Sequence, residues 1–139
     1  MTKPLFQWPA RVYYEDTDAT GVVYHANYLR YFERARTEWL RALGVSQQSL
    51  RAESGVVFTL ANLEVDYLRP ARLDDDLVIT VSVEHLRRAS LTFVQAVHLK
   101  SDPDAPLARA RARVACVDEH GFRPCPLPDD FVQKVSNGV

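Results

Sequence analysis

Residues 27–44, NYLRYFERARTEWLRALG, decide the fold. Tyr28, Phe32, Ala35, Trp39 and Leu43 recur at helical spacing, joined by Leu29 and Leu40. Arg30, Glu33, Arg34, Thr37, Glu38 and Arg41 fill the opposite side. Gly44 is a fitting C-terminal stop. The spacing predicts one amphipathic helix of about four to five turns. Its large apolar stripe needs a broad surface to cover it, and the rest of the chain supplies strands.

Downstream of a short polar segment, residues 56–67 (VVFTLANLEVDY) read as a long strand. Its second half alternates Leu63, Val65 and Tyr67 with Asn62, Glu64 and Asp66. Arg69-Pro70-Ala71 breaks it. Residues 77–86 place Leu77, Ile79, Val81 and Val83 on one face, and Arg87-Arg88-Ala89 reads as a hairpin link to residues 90–99. Residues 101–106 (SDPDAP) read as a loop. Residues 107–117 form a last strand in which Ala108, Ala110, Ala112, Val114 and Cys116 alternate with Arg109, Arg111 and Arg113. Upstream of the helix, residues 11–15 (RVYYE) read as a first strand and residues 16–21 as a turn. One strand, one long helix and four strands with short links predict an α+β fold, a mostly antiparallel sheet covered on one face by the helix. The tail from Pro124 is expected to be irregular, with room for one short terminal helix.

The 139 residues suit one domain, expected to span 1–139 with its core at about 11–118 and a tail at 119–139. Seventeen basic and eighteen acidic residues give a net charge of −1, so bulk charge does not point to nucleic acid. Pro4, Gln7, Trp8 and Pro9 interrupt any secretory apolar region, and no apolar run approaches a bilayer span. A cytoplasmic protein is expected. Cys116 and Cys125 stand alone and form no CxxC pair, which argues against a zinc site and favours reduced thiols.

The chemistry concentrates in residues 15–28, EDTDATGVVYHANY. Asp16 to Gly21 match the first half of an EF-hand loop, with oxygens at positions 1, 3 and 5 and glycine at 6. Position 12 then falls on Asn27 where a glutamate is required, and residues 11–15 read as a strand instead of an incoming helix. Both count against calcium. A second reading is a polar turn, with Asp18, Thr20 and Gly21 in an Asx turn and Asn27 as helix cap. It leaves Tyr24-His25 unused beside the helix start. A third reading is catalytic. A helix N-terminus presents backbone N–H groups that can hold an oxyanion. A nearby carboxylate can attack the carbonyl or activate water, while His25 donates a hydrogen bond or orients that water. Glu15 and Asp16 are expected to be solvated or turn residues.

Residues 13–40, with the core TDATGVVYHANY, and the later LEVDYLRPARLDDDL resemble hot-dog-fold acyl-CoA thioesterases of the 4-hydroxybenzoyl-CoA thioesterase type. The match is to the branch associated with the tol-pal system, and it runs from about Val12 to Asp118. The resemblance implies a hot-dog fold, in which a long central helix is wrapped by a curved five-stranded antiparallel sheet. It implies two such units side by side, with substrate at their interface. The essential carboxylate of the family maps onto Asp18, as nucleophile or general base, and His25 joins it. Relatives often carry glycine where this chain has Thr20. The resemblance implies an enzyme that hydrolyses an acyl thioester to free acid and thiol, with no cofactor and no metal.

Coenzyme A or an acyl carrier protein is the expected carrier, in a homodimer or homotetramer that can associate with a cell-envelope complex. Arg87 and Arg88 are candidates for the nucleotide phosphates; Tyr14, Tyr24 and Asn27 are candidates for lining the site. Two rivals remain: a non-catalytic acyl-thioester or acyl-carrier binding protein, and a hot-dog hydroxyacyl-thioester dehydratase.

Overall fold

The computed structural model describes residues 6–138. Strand β1 (Phe6–Arg11) leads through a 3₁₀ turn (Tyr14–Asp16) and a loop to helix α1 (Asn27–Ala42). A second helix, α2 (Gln47–Ser54), precedes β2 (Val56–Tyr67), β3 (Asp76–Leu86), β4 (Ser90–Leu99) and β5 (Asp102–Asp118), and α3 (Asp129–Gly138) closes the order. The strands form one sheet in the order β1-β3-β4-β5-β2, with every neighbouring pair antiparallel. This is the α+β hot-dog arrangement.

The helix forms where its apolar spacing requires. Tyr28, Tyr31, Phe32, Ala35, Trp39 and Leu40 are buried along one side, and α1 packs on β1, β3 and β4. Inward-facing Leu77, Ile79 and Val81 of β3 and Leu91, Phe93 and Val97 of β4 join the same core. Trp39 meets Phe93 edge-on at 5.2 Å between ring centroids. Gly44 takes φ +81° just past the helix, the left-handed turn for which glycine carries no side-chain penalty.

Four expectations need correction. Residues 11–15 are not a strand: β1 lies upstream and ends at Arg11, and Tyr14–Asp16 turn in 3₁₀ form. The polar segment after α1 is the helix α2. Ser46 caps it by accepting a hydrogen bond from the Ser49 amide at 3.2 Å, and Gly55 ends it at φ 70°. Residues 102–106, expected as loop, begin β5, where register breaks against β4 at Val97–Leu99 accommodate Pro103 and Pro106. The tail is more regular than expected, and Leu127, Phe131 and Val135 are buried in the common core.

Candidate active site

The loop between the 3₁₀ turn and α1 is a small closed structure. Thr17 bridges Val23, and the Asp18 amide donates to the Val22 carbonyl at 2.9 Å. Gly21 turns the chain at φ 85° and donates its amide to the Asp18 carbonyl. Asp18 is thereby held at an exposed position on a pinned backbone. One carboxylate oxygen accepts both the Thr20 hydroxyl at 2.6 Å and the Thr20 amide at 2.8 Å. These two bonds, the hydroxyl first, hold the Asp18 pKa below its ordinary value, and the charge of nearby His25 adds to the effect. The Asx turn and the catalytic carboxylate are therefore compatible: the turn uses one oxygen and leaves the other for chemistry.

Asp16, expected as a solvated or turn residue, is a buried hub with only 7% of its surface exposed. Its carboxylate accepts the Tyr13 amide at 2.8 Å and the Asn27 side-chain amide at 3.0 Å, and its carbonyl accepts the Tyr24 amide at 2.9 Å. One residue thus ties the 3₁₀ turn, the loop and the first turn of α1 together. Asn27, 5% exposed, is not the helix cap that its residue type suggested. Ala26 occupies that position, and no side chain caps α1. Nor does any acidic residue stand in its first turn. The Asn27 and Leu29 amides donate to the Tyr24 and Ala26 carbonyls, and the helix start keeps its partial positive charge without a carboxylate to offset it. The Tyr31 hydroxyl lies buried close to the Asp16 and Asn27 side chains; burial, then the Asp16 charge, drive its pKa upward.

His25 is exposed just before α1, within 4.4 Å of the Tyr24 ring by centroids. Its carbonyl accepts the Tyr67 hydroxyl at 2.9 Å, so the end of β2 anchors the residue. Tyr28 ties in a second segment: its hydroxyl oxygen accepts the Ala71 amide at 3.0 Å. His25 lies near enough to Asp18 for its charge to act on the carboxylate, while Tyr24 and Asn27 are tied to the same loop through Asp16. Tyr14 is close in sequence, but its side chain is 83% exposed in the 3₁₀ turn instead of facing inward from a strand.

Arg87 and Arg88 are not brought to Asp18 within one chain. They are exposed at the far tip of the β3–β4 hairpin. Arg11, just upstream of the site, pairs with Asp76 at the start of β3, and eleven residues of β3 separate that end from the tip. At about 3.3 Å per residue this is roughly 35 Å. A cleft of about 320 Å³ between β1 and α1 reaches Trp8, Asp16, Tyr31 and Arg34, but Asp18 does not line it. The Asp18 loop of a single chain opens onto the surface.

Thr20, Asp16 and Tyr67 shape the site without standing out in the sequence as functional residues. Only Thr20 carried a signal, the two-residue spacing of an Asx turn. Among the described residues no His/Cys/Asp/Glu cluster could hold a metal ion.

The family profile described as the thioesterase-like superfamily matches residues 12–135. The acyl-CoA thioester hydrolase YbgC of Escherichia coli is 47% identical over 132 residues, covering 95% of this chain and 96% of that protein. A probable thioesterase from Bartonella henselae has a crystal structure with a TM-score of 0.82 and 34% identity, covering 90% of this chain and 100% of that one. The 1,4-dihydroxy-2-naphthoyl-CoA thioesterase of Synechocystis superposes with a TM-score of 0.88 at 22% identity, covering 96% of this chain and 97% of that one, a likeness of fold alone.

Proposed function

This chain belongs to the thioesterase-like superfamily and is a thioester hydrolase, and from that premise we propose that it cleaves acyl-CoA thioesters with Asp18 as the reactive carboxylate. The observation that carries the proposal is the pairing of an ionised, exposed Asp18 with an uncapped helix start. The thioester carbonyl lies over the N-terminus of α1, whose N–H groups stabilise charge developing on its oxygen. In one route Asp18 attacks the carbonyl carbon, expelling the thiolate and leaving a mixed anhydride that water then hydrolyses to free acid and the Asp18 carboxylate. In the other it takes a proton from a water that attacks the carbonyl and expels the thiolate directly. His25, beside Asp18, orients the water or the thioester.

The working unit is a homodimer. Strand β2 is bordered by β5 alone among the described strands. Leu60, Tyr67 and Leu68 are exposed along it and just beyond, and Tyr24 is exposed near its end. An open apolar edge of this length is a pairing surface. A second copy on that edge gives walls to a site that one chain leaves open. Phosphate contacts from Arg87 and Arg88 require the hairpin tip of another copy, since those of the same chain lie at the far end of the sheet.

The test is free-thiol release from a panel of acyl-CoA thioesters by wild type and Asp18→Asn. The substitution keeps size and removes charge, and the rate is expected to fall on the order of 10²-fold or more. An enoyl product without thiol would identify a dehydratase. Binding without turnover would identify a carrier. Full activity in the Asn variant would remove Asp18 from the mechanism.

A further inference from the structure

Arg36 points away from this chemistry and toward the core. Its guanidinium donates to the Gln95 side-chain oxygen at 2.9 Å and lies 5.9 Å from the centre of the Phe93 ring. Gln95 is 1% exposed, and its amide nitrogen donates to the Phe32 carbonyl at 3.0 Å. The amide is therefore locked with its oxygen toward Arg36. Among the described residues no carboxylate stands within ion-pairing distance of the guanidinium, and Glu33, one turn earlier on α1, offers only a longer-range attraction. Arginine keeps its charge, and a guanidinium has five N–H donors, of which a neutral amide takes one.

The half-buried cation borders a partly open pocket of about 40 Å³, whose other walls include Leu40, Gln47, Phe58, Leu91, Phe93 and Phe131. Most of these walls are apolar and solvate a charge poorly, so a half-buried cation without a counter-charge loses hydration that a bound anion would offset. The volume exceeds the roughly 10–15 Å³ that one water needs and has room for a carboxylate-sized group. We propose that Arg36, fixed by Gln95, and this cavity form a binding subsite for a small monoanion of the carboxylate class. The anion comes from one of two sources, a free ion such as acetate or the carboxyl end of an acyl chain; the second source rests on the hydrolase reading above.

The full-length protein is melted in acetate and in equal ionic strength of gluconate, an anion too large for the cavity. Acetate binding to the folded state raises the melting temperature along a saturating curve, by roughly 3–5 °C at ten times Kd. Arg36→Met abolishes the rise. Gln95→Glu is a second variant, which places a carboxylate against Arg36 from within; it also abolishes the rise and covers the case in which the Met variant does not fold. In a separate arm, kcat/KM is compared for carboxyl-ended and methyl-ended acyl-CoA thioesters of equal length. A preference for the carboxyl end that drops tenfold or more in Arg36→Met identifies the tethered source, and an acetate response without it identifies the free ion. A wild type with neither response overturns the subsite. Silence toward every thioester alongside an intact acetate response would instead count against hydrolysis alone.

Discussion

Thr20 governs the charge of Asp18 through the acid range. Its hydroxyl and amide both donate to one carboxylate oxygen and stabilise the ionised form. A carboxyl group with a lowered pKa loses its charge only as pH falls through that lowered value, so with Asp18 as the proposed reactive carboxylate hydrolysis is expected to persist at pH values where an ordinary aspartate is partly protonated. Thr20→Val removes the hydroxyl and keeps the shape. Its acidic limb in a plot of kcat/KM against pH should move to higher pH, with the plateau rate near neutrality changed less than the limb. An unmoved limb would assign the acid titration to another group. Little of this was legible in the sequence. Asp16 and Asp18 share one motif, two residues apart, and nothing in the letters says that the first is buried and the second exposed. That difference arises only because Tyr14–Asp16 form a 3₁₀ turn, which swings the Asp16 carboxylate inward to the Tyr13 amide and Asn27.

The long elements were readable because each carries many repeats of its own period. Helix α1 and strands β2 and β4 lie where their patterns put them. The first strand was misplaced because Val12, Tyr13 and Tyr14 are strong strand formers while Pro9 argues against a strand. An edge strand tolerates proline, since a missing N–H there leaves no neighbour unsatisfied, and β1 is an edge. Helix α2 buries none of its residues, so periodicity had nothing to report, and only Ser46 and Gly55 marked its ends. The opposite edge, β2, carries a functional consequence. Leu60 is 48% exposed there beside a register shift. Leu60→Lys places a charge on the pairing surface and should give a folded monomer with thiol release largely lost. Sedimentation and circular dichroism read assembly and folding separately; an active monomer would show that one chain suffices.

At the scale of the molecule, the sheet's lower cover is shared between α1 and the tail. Phe131 is 2% exposed and packs on Phe58 at 5.3 Å between ring centroids. Phe131→Ala should cost about 3–5 kcal/mol by emptying that space, lowering the denaturation midpoint by calorimetry or urea; a change below 1 kcal/mol would mean the tail is only loosely docked. The sequence hid this role because the tail's apolar residues are few and its prolines suggested irregular structure with at most one short helix. The order of the strands reaches further than stability. Helix α1 is complete by Ala42, but β3 and β4, which cover it together with β1, are complete only at Leu99, and β2 finds its partner only when β5 ends at Asp118. During synthesis the apolar stripe of α1 therefore stays only partly covered until β3 and β4 have emerged from the ribosome. Closing such distant pairs is slow, and the waiting helix, bearing Phe32 and Trp39, is the segment a nascent-chain chaperone would grip.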